Sequence, residues 1–417
     1  MNVLRALRYR PFALLWSGQT ISRLGDNLYH IALAWWVLEE TGSAVAMGTV
    51  FVLGQVPMLI FLLVGGVVVD RLPRIRIMFG SDLLNGAVVA IIAALAWFDL
   101  LQIWHVYVGS IVFGFVEAFF FPAFAAVVPQ ITPAGLLTSA NSLTGLSQRL
   151  TGIVGPVIGA SLVAVGGTSL ALGLDALSFL VSALFVLPIL RATVEENAEP
   201  DAAEKAARSS TVRDLLGQGF ADLRQGWHAV FAVPWIWISI AFYGFVNITE
   251  ASPRAVAMPF LIKDDLGADV GLYGLLGSAD SLGFALGAIV LGQFARLRRR
   301  GWLLYGSTVV AGAILLPFAW KLAVPVLIAG MFVHGVCFAV GGLIWTHSLQ
   351  EMVPPKLLGR VSSIDALGSF VLLPIGFAAA GWATELLGAP TVFLIGGFGT
   401  MMLAVLPLLH PAIRNLD

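Results

Sequence analysis

The stretch VAMGTVFVLGQVPMLIFLLVGGVVVDRLPRIRIMFGSDLLNGAVVAIIAALAWFD, residues Val45 to Asp99, decides the architecture. It holds two apolar runs, 45–69 and 77–99, parted by the charged turn Asp70-Arg71-Leu72-Pro73-Arg74-Ile75-Arg76. Each run has the ~20 residues a helix needs to cross a hydrocarbon core of ~30 Å. Neither alternates apolar with polar positions as a barrel strand would. The pair reads as two membrane-crossing helices joined on one side of a bilayer.

Working outward, similar runs recur near 12–38, 103–128, 138–166, 168–190, 235–262, 271–295, 301–320, 322–350, 359–384 and 389–410. The expectation is therefore an all-α polytopic membrane protein of twelve spans. Composition agrees: 59% of the 417 residues are hydrophobic and only 11% are charged, so no soluble globule could hide the apolar surface. Arg5, Arg8 and Arg10 precede a first apolar segment far longer than a signal-peptide core, which reads as a retained helix. Cys337 is the lone cysteine and permits no internal disulfide. Small-residue faces such as Gly155-x-x-x-Gly159 and Gly283-x-x-x-Gly287 suit close helix packing in lipid.

With twelve spans, Lys and Arg sort to one side. Eighteen gather there, from Arg5 through the clusters at 71–76, 191–224, 296–300 and 356–360 to Arg414, against Lys263 and Lys321 opposite. The positive-inside bias then makes both termini cytoplasmic. The one long polar stretch separates an N-terminal bundle, 1–190, from a C-terminal bundle, 235–417. The stretch itself, 191–234, reads as a cytoplasmic linker, flexible over Glu195 to Ser210. From Thr211 to Trp227 apolar residues return at helical spacing, predicting an amphipathic interfacial helix. Two six-helix halves predict pseudo-symmetric bundles around a midplane site.

Gly66-Val67-Val68-Val69-Asp70-Arg71-Leu72-Pro73-Arg74-Ile75-Arg76 resembles the loop signature of the major facilitator superfamily, G-x-x-x-D-R-x-G-R-R, with Pro73 and Ile75 departing from it. The second-half loop Gly292 to Arg300 keeps the basic cluster without the Asp. Gly152-Ile153-Val154-Gly155-Pro156-Val157-Ile158-Gly159 is similar to the family's antiporter motif, with Ala160 in place of one glycine. Arg10-Pro-Phe-Ala-Leu-Leu-Trp16-Ser-Gly18, Phe121-Pro122 to Pro129, Asp175-Ala-Leu-Ser-Phe179 and Leu358-Gly359-Arg360-Val-Ser-Ser resemble the drug–proton antiporter branch that includes macrolide-efflux and siderophore-export proteins. The resemblance implies proton-driven export by alternating access, in a monomer without a cofactor. It also implies a gate at the charged turn, made by Asp70, Arg71, Arg74 and Arg76. Asp82 is expected to join that network, with Arg360 and Asp365 as partners in the second half.

A charge at bilayer depth costs at least ~2.5–3.5 kcal/mol, so each needs a partner, a watery cavity or a role. Arg23, Asp26, Asn27 and His30 fall on one face of the first span. Asn247, Glu250 and Arg254 repeat the pattern in the seventh. Asp26 is the leading carboxylate for proton coupling or substrate binding. Arg23 with Asp26, and Glu250 with Arg254, are equally read as simple neutralising pairs. Glu117 in the fourth span faces two readings: paired with Arg149 it stays charged, and walled by apolar groups it exchanges a proton. Phe119, Phe120 and Phe121 after it read first as helix packing. Asp175, Asp280, His334 and His347 carry no assigned role, a lone His in an apolar span being more often hydrogen-bonded than titrating. Trp16, Trp35, Trp36, Trp97 and Trp104 sit near span ends as interface anchors, and the deeper Trp345 is a candidate cavity wall.

The sequence lacks a G-x-x-x-x-G-K-[ST] phosphate loop, a His/Cys cluster at metal-ligand spacing, a nucleophile elbow and a basic nucleic-acid stripe, and nothing nominates an enzyme or a metal site. The reading is a transporter of a small amphipathic compound, exchanged for protons, among membrane lipids. The alternatives are a lysophospholipid or siderophore carrier and a non-transporting receptor or scaffold.

Overall fold

The computed structural model describes residues 3–196, 224–294 and 298–417. Among these residues all regular structure is helical. α1 (Arg10–Thr41), α2 (Ala44–Arg71), α3 (Arg74–Trp97) and α4 (Ile103–Ile131) follow one another through short connections. α5 (Leu137–Glu196) breaks into two helices at Gly167, where φ is 74° and ψ is 175°. Only glycine adopts that conformation without steric cost, so the boundary expected between 166 and 168 falls where the chemistry puts it.

α6 (Arg224–Ala232) meets the next helical stretch at 106°. That stretch comprises α7 (Pro234–Val246), α8 (Ser252–Val256) and α9 (Met258–Phe260), with π-helical turns at Asn247–Ala251 and Leu261–Asp265. Then come α10 (Val270–Leu291), α11 (Arg300–Ala319), α12 (Val324–Met352), α13 (Pro355–Phe370), α14 (Leu373–Leu387), α15 (Ala389–Leu408) and the short α16 (Pro411–Arg414). Proline opens α7, α13 and α16, where its missing N–H costs nothing.

Among the described residues nine helices are long and apolar enough to cross a membrane, or ten if the bent pair is one span. The 59-residue stretch Ala134–Ala192 is long enough for two crossings. α1 is not among the nine because its polar stripe lowers its hydropathy. The architecture is compatible with the twelve spans expected. The amphipathic helix expected over 211–227 lies outside the described residues up to 223, and its last positions open α6. The Asp70 side chain and Arg296 also lie outside them.

The chain forms two compact units, Met1–Trp36 with Leu53–Gly219, and Val37–Val52 with Phe220–Asp417. The first buries Phe12, Leu15, Met78, Val127, Leu143 and Val186 in its core. The second buries Trp235, Ile240, Phe242, Tyr305, Ile344 and Ile364. It also holds the α1–α2 corner: Ser43 Oγ and the Val45 N–H donate to Glu385 Oε2 at 2.8 and 3.1 Å. Large apolar side chains such as Ile91, Leu184, Ile289, Trp382 and Met402 point outward. Exposed apolar surface on this scale is what a bilayer covers.

Candidate functional site

The first unit gathers its in-span polar groups on α1 and the second half of α5. Gln19, Arg23 and Asp26 recur along one face of α1, while Asp175, Ser178 and Ser182 recur at i, i+3 and i+7 on α5. The two helices touch because residue 25 is glycine: a Cβ there would stand 2.0 Å from Ser178 Oγ and 2.3 Å from Asp175 Oδ1. Ser178 donates to Asp175 Oδ1 at 3.2 Å, and the other Asp175 oxygen is buried without a hydrogen-bond partner among the described residues.

Asp82 of α3 completes this array. Ser182 Oγ donates to it at 2.7 Å and Gln19 Nε2 at 3.5 Å, and Gln19 also reaches Ser182 at 2.9 Å. Asp175, Glu117, Asp82 and Arg23 all act electrostatically on Asp26. Arg23 is held by Phe124, whose ring centroid lies 5.0 Å from the guanidinium, and faces the Gln148 amide, which accepts from it once the amide is turned to present its oxygen. Asn27 Nδ2 donates to the Arg23 carbonyl at 2.7 Å.

Arg23 of α1 acts electrostatically on Glu117 of α4. Asp82 does not belong to the charged turn: it is 1% exposed and bonded to neutral donors. His30 lies one turn beyond Asp26 on α1, with its ring edge-on to Tyr29. The motif glycines act through space. A Cβ on Gly155 would lie 2.5 Å from Asn27 Cβ, and one on Gly159 would lie 3.2 Å from Leu28 Cα, so this stretch of α5, including Pro156, lies against α1. At the turn itself, Arg71 ends α2 and Arg74 Nη1 donates to Gln130 at 3.5 Å, with Arg76 exposed beside it.

The second unit holds a closed charge ring. Arg254 Nε lies 2.5 Å from Glu250 Oε1, and Arg254 Nη1 lies 3.8 Å from Asp280 Oδ2. His334 closes it, with Nε2 2.8 Å from Glu250 and Nδ1 2.7 Å from Asp280. Glu250 sits in the π-helical turn, an irregularity that recurs at functional sites. Asp280 and His334 meet because α10 and α12 pack backbone to backbone. A Cβ on Gly335 would lie 1.8 Å from the Asp280 carbonyl, and one on Gly283 would lie 1.8 Å from that of Phe332. The neutralising reading of Glu250 and Arg254 is thus realised, within a four-membered ring.

Beside the ring lies a cavity of about 310 Å³ walled by Tyr243, Phe284, Phe338, Trp345, Asn247 and Asp365. Phe338 separates it from the ring, stacking on His334 with centroids 5.2 Å apart. Asp365 belongs to the cavity wall, where Trp345 Nε1 donates to it at 2.8 Å and Ser369 Oγ at 3.2 Å. Asn247 Nδ2 donates to the Ser369 carbonyl at 2.7 Å. Arg360, one turn before Asp365, donates to Gln225.

The i, i+3, i+7 spacing of Asp175, Ser178 and Ser182 was the overlooked signal for the first-unit cluster. No local signal in the sequence links His334 to Glu250, since the contact joins positions 84 residues apart.

The family model for transmembrane secretion effectors matches residues 2–417. Macrolide efflux protein A of Streptococcus pyogenes is 25% identical, covering 97% of this chain and 97% of its own. The multidrug efflux pump Tap of Mycolicibacterium fortuitum is 25% identical over 98% and 97%, and the enterobactin exporter EntS of Salmonella paratyphi A is 27% identical over 97% and 94%. Among solved structures, the nucleoside transporter NupG superposes with a TM-score of 0.69 at 14% identity, covering 97% of this chain and 98% of that one.

Proposed function

The chain belongs to the transmembrane secretion effectors, within the major facilitator superfamily, and from that premise we propose that it exports small amphipathic compounds in exchange for protons by alternating access. As a member it is a multi-pass membrane transporter and not an enzyme. In this reading it works as a monomer in the plasma membrane with both termini cytoplasmic, the orientation that the Lys and Arg asymmetry supports.

The observation that carries proton exchange is the first-unit cluster. Asp26, Asp82, Glu117 and Asp175 converge at membrane depth, and Arg23 is the cation acting within the group. Four carboxyls against one guanidinium in a low-dielectric setting favour partial protonation, and that is the property a proton-exchanging site requires. Asp82 and Asp175 accept hydrogen bonds from Ser182, Gln19 and Ser178, whereas no such bond to Asp26 or Glu117 is seen among the described residues, which leaves these two the more available members. Asp26 and Glu117 carry the exchange, Arg23 with Gln148 sets the charge balance, and the basic turn from Arg71 to Arg76 serves as the gate.

Export as the direction and drug-like compounds as cargo are supported by the efflux relatives. Siderophore export is a second reading, favoured by the similarity to EntS. The test is the purified protein in liposomes under an imposed pH gradient. Proton flux is followed on adding a cationic drug, a neutral macrolide, a catecholate siderophore or lysophospholipid. Drug-dependent flux lost in both Asp26→Asn and Glu117→Gln is expected. Drug movement without proton flux would remove the coupling, and movement of lysophospholipid alone would replace the cargo.

A further inference from the structure

The aromatic cavity of the second unit contains an electrostatic imbalance. Glu250 and Asp280 are matched by Arg254 and His334. Asp365 faces only neutral donors, the Trp345 indole and the Ser369 hydroxyl. Among the described residues no Lys, Arg or His comes within ion-pair distance of it, and no basic side chain lines the cavity. Arg254, behind Phe338, is committed to its own carboxylates.

We propose that this cavity is a binding site for a lipophilic organic monocation, with Asp365 as its counter-ion and the surrounding aromatic rings as its walls. A cation placed here meets one carboxylate and the π-faces of Phe284, Phe338, Trp345 and Tyr243, the two features that attract a desolvated positive charge. An anion such as a catecholate, or the phosphate of a lysophospholipid, meets a like charge and no basic partner. A dication finds one carboxylate for two charges. Trp345 is a positioning residue: its N–H fixes the Asp365 carboxylate, and its ring packs against Trp235 and Tyr243, which hold it in turn. The volume, about 310 Å³, lies at the lower end of ligand pockets. A compact multi-ring cation fills it.

This inference names the substrate class for the export reading and rests on it for transport, but it is tested by binding alone. The full-length protein in nanodiscs is titrated, without any gradient, with tetraphenylphosphonium and with neutral triphenylphosphine oxide. Wild type binds the cation at least ~10-fold more tightly, equivalent to ~1.4 kcal/mol. Asp365→Asn, whose amide oxygen still accepts from Trp345, loses that preference and keeps the neutral probe. Trp345→Phe weakens the cation more than the neutral probe, which a merely structural role would not do. Equal affinity of wild type for the two probes overturns the proposal whether or not any variant folds, and so does an unchanged preference in Asp365→Asn. Failure of proton-driven flux in liposomes alongside intact cation preference would sink the coupling and leave this site. Proton-driven export with no cation preference in wild type would do the reverse.

Discussion

His334 Nε2 lies 2.8 Å from Glu250 Oε1, and neither side chain has any exposed surface. Each imidazole nitrogen faces a carboxylate oxygen, so both contacts need a proton: either the ring is doubly protonated, or one of the two acids carries the hydrogen. With Arg254 the ring of four is neutral in either arrangement. Removing one partner strands a buried charge, a loss of ~3–5 kcal/mol for buried pairs. His334→Ala should therefore lower the melting temperature in nanodiscs sharply. Glu250→Leu combined with His334→Leu should lose far less than the two single changes together, which a double-mutant cycle would read.

Close helix contact in the first unit depends on the absence of a side chain at residue 25. With a Cβ 2.8 Å from Ser178 Cβ, and with Ser178 Oγ and Asp175 Oδ1 forced to rotate out of their hydrogen bond, Gly25→Ala should cost the ~1–3 kcal/mol typical of overpacking. Gly145→Ala, with nothing within 4 Å of its Cβ, should be neutral or slightly stabilising. Melting of the two variants side by side separates the packing effect from helix propensity.

Much of this was open to reading from the chain, for reasons that differ by level. The spans follow from run length and hydropathy, and the break at Gly167 follows from the Gly166-Gly167 pair between two apolar runs. The stripe Arg23, Asp26, Asn27 was visible because its members share one helix face. His30 lies on that same face, one turn beyond Asp26. The partners were beyond reach. Arg23 against Glu117, Ser182 against Asp82, and Trp345 against Asp365 all depend on how helices rotate and pack, and single-helix periodicity does not encode that. Arg360 and Asp365, five residues apart on one helix, take different partners, Gln225 and Trp345.

Lys321 and Asp265 offer a contrast to the buried ring. Their 2.7 Å contact is half-exposed on the lysine side, where water and salt screen it. Lys321→Ala should cost no more than ~1 kcal/mol. The small loss should disappear in high salt, whereas the effect of His334→Ala should persist. A melting series over salt concentration checks both.

Asp26 and Asp82 are both in-span carboxylates of the first unit, yet they should behave differently in proton exchange. Asp82 accepts from Ser182 at 2.7 Å and from Gln19, and asparagine can keep both bonds through its amide oxygen. Asp26 lies in the field of Arg23 with no hydrogen bond among the described residues, so its carboxyl is free to gain and lose a proton without dismantling a network. Asp82→Asn should keep most drug-dependent proton flux in liposomes, while Asp26→Asn should fall to the level of protein-free vesicles. Counterflow of labelled substrate, which needs no net proton movement, should survive in both. If Asp82→Asn abolished flux and Asp26→Asn spared it, the proton path would run through the Ser182–Gln19 network and the role given to Asp26 would pass to Asp82.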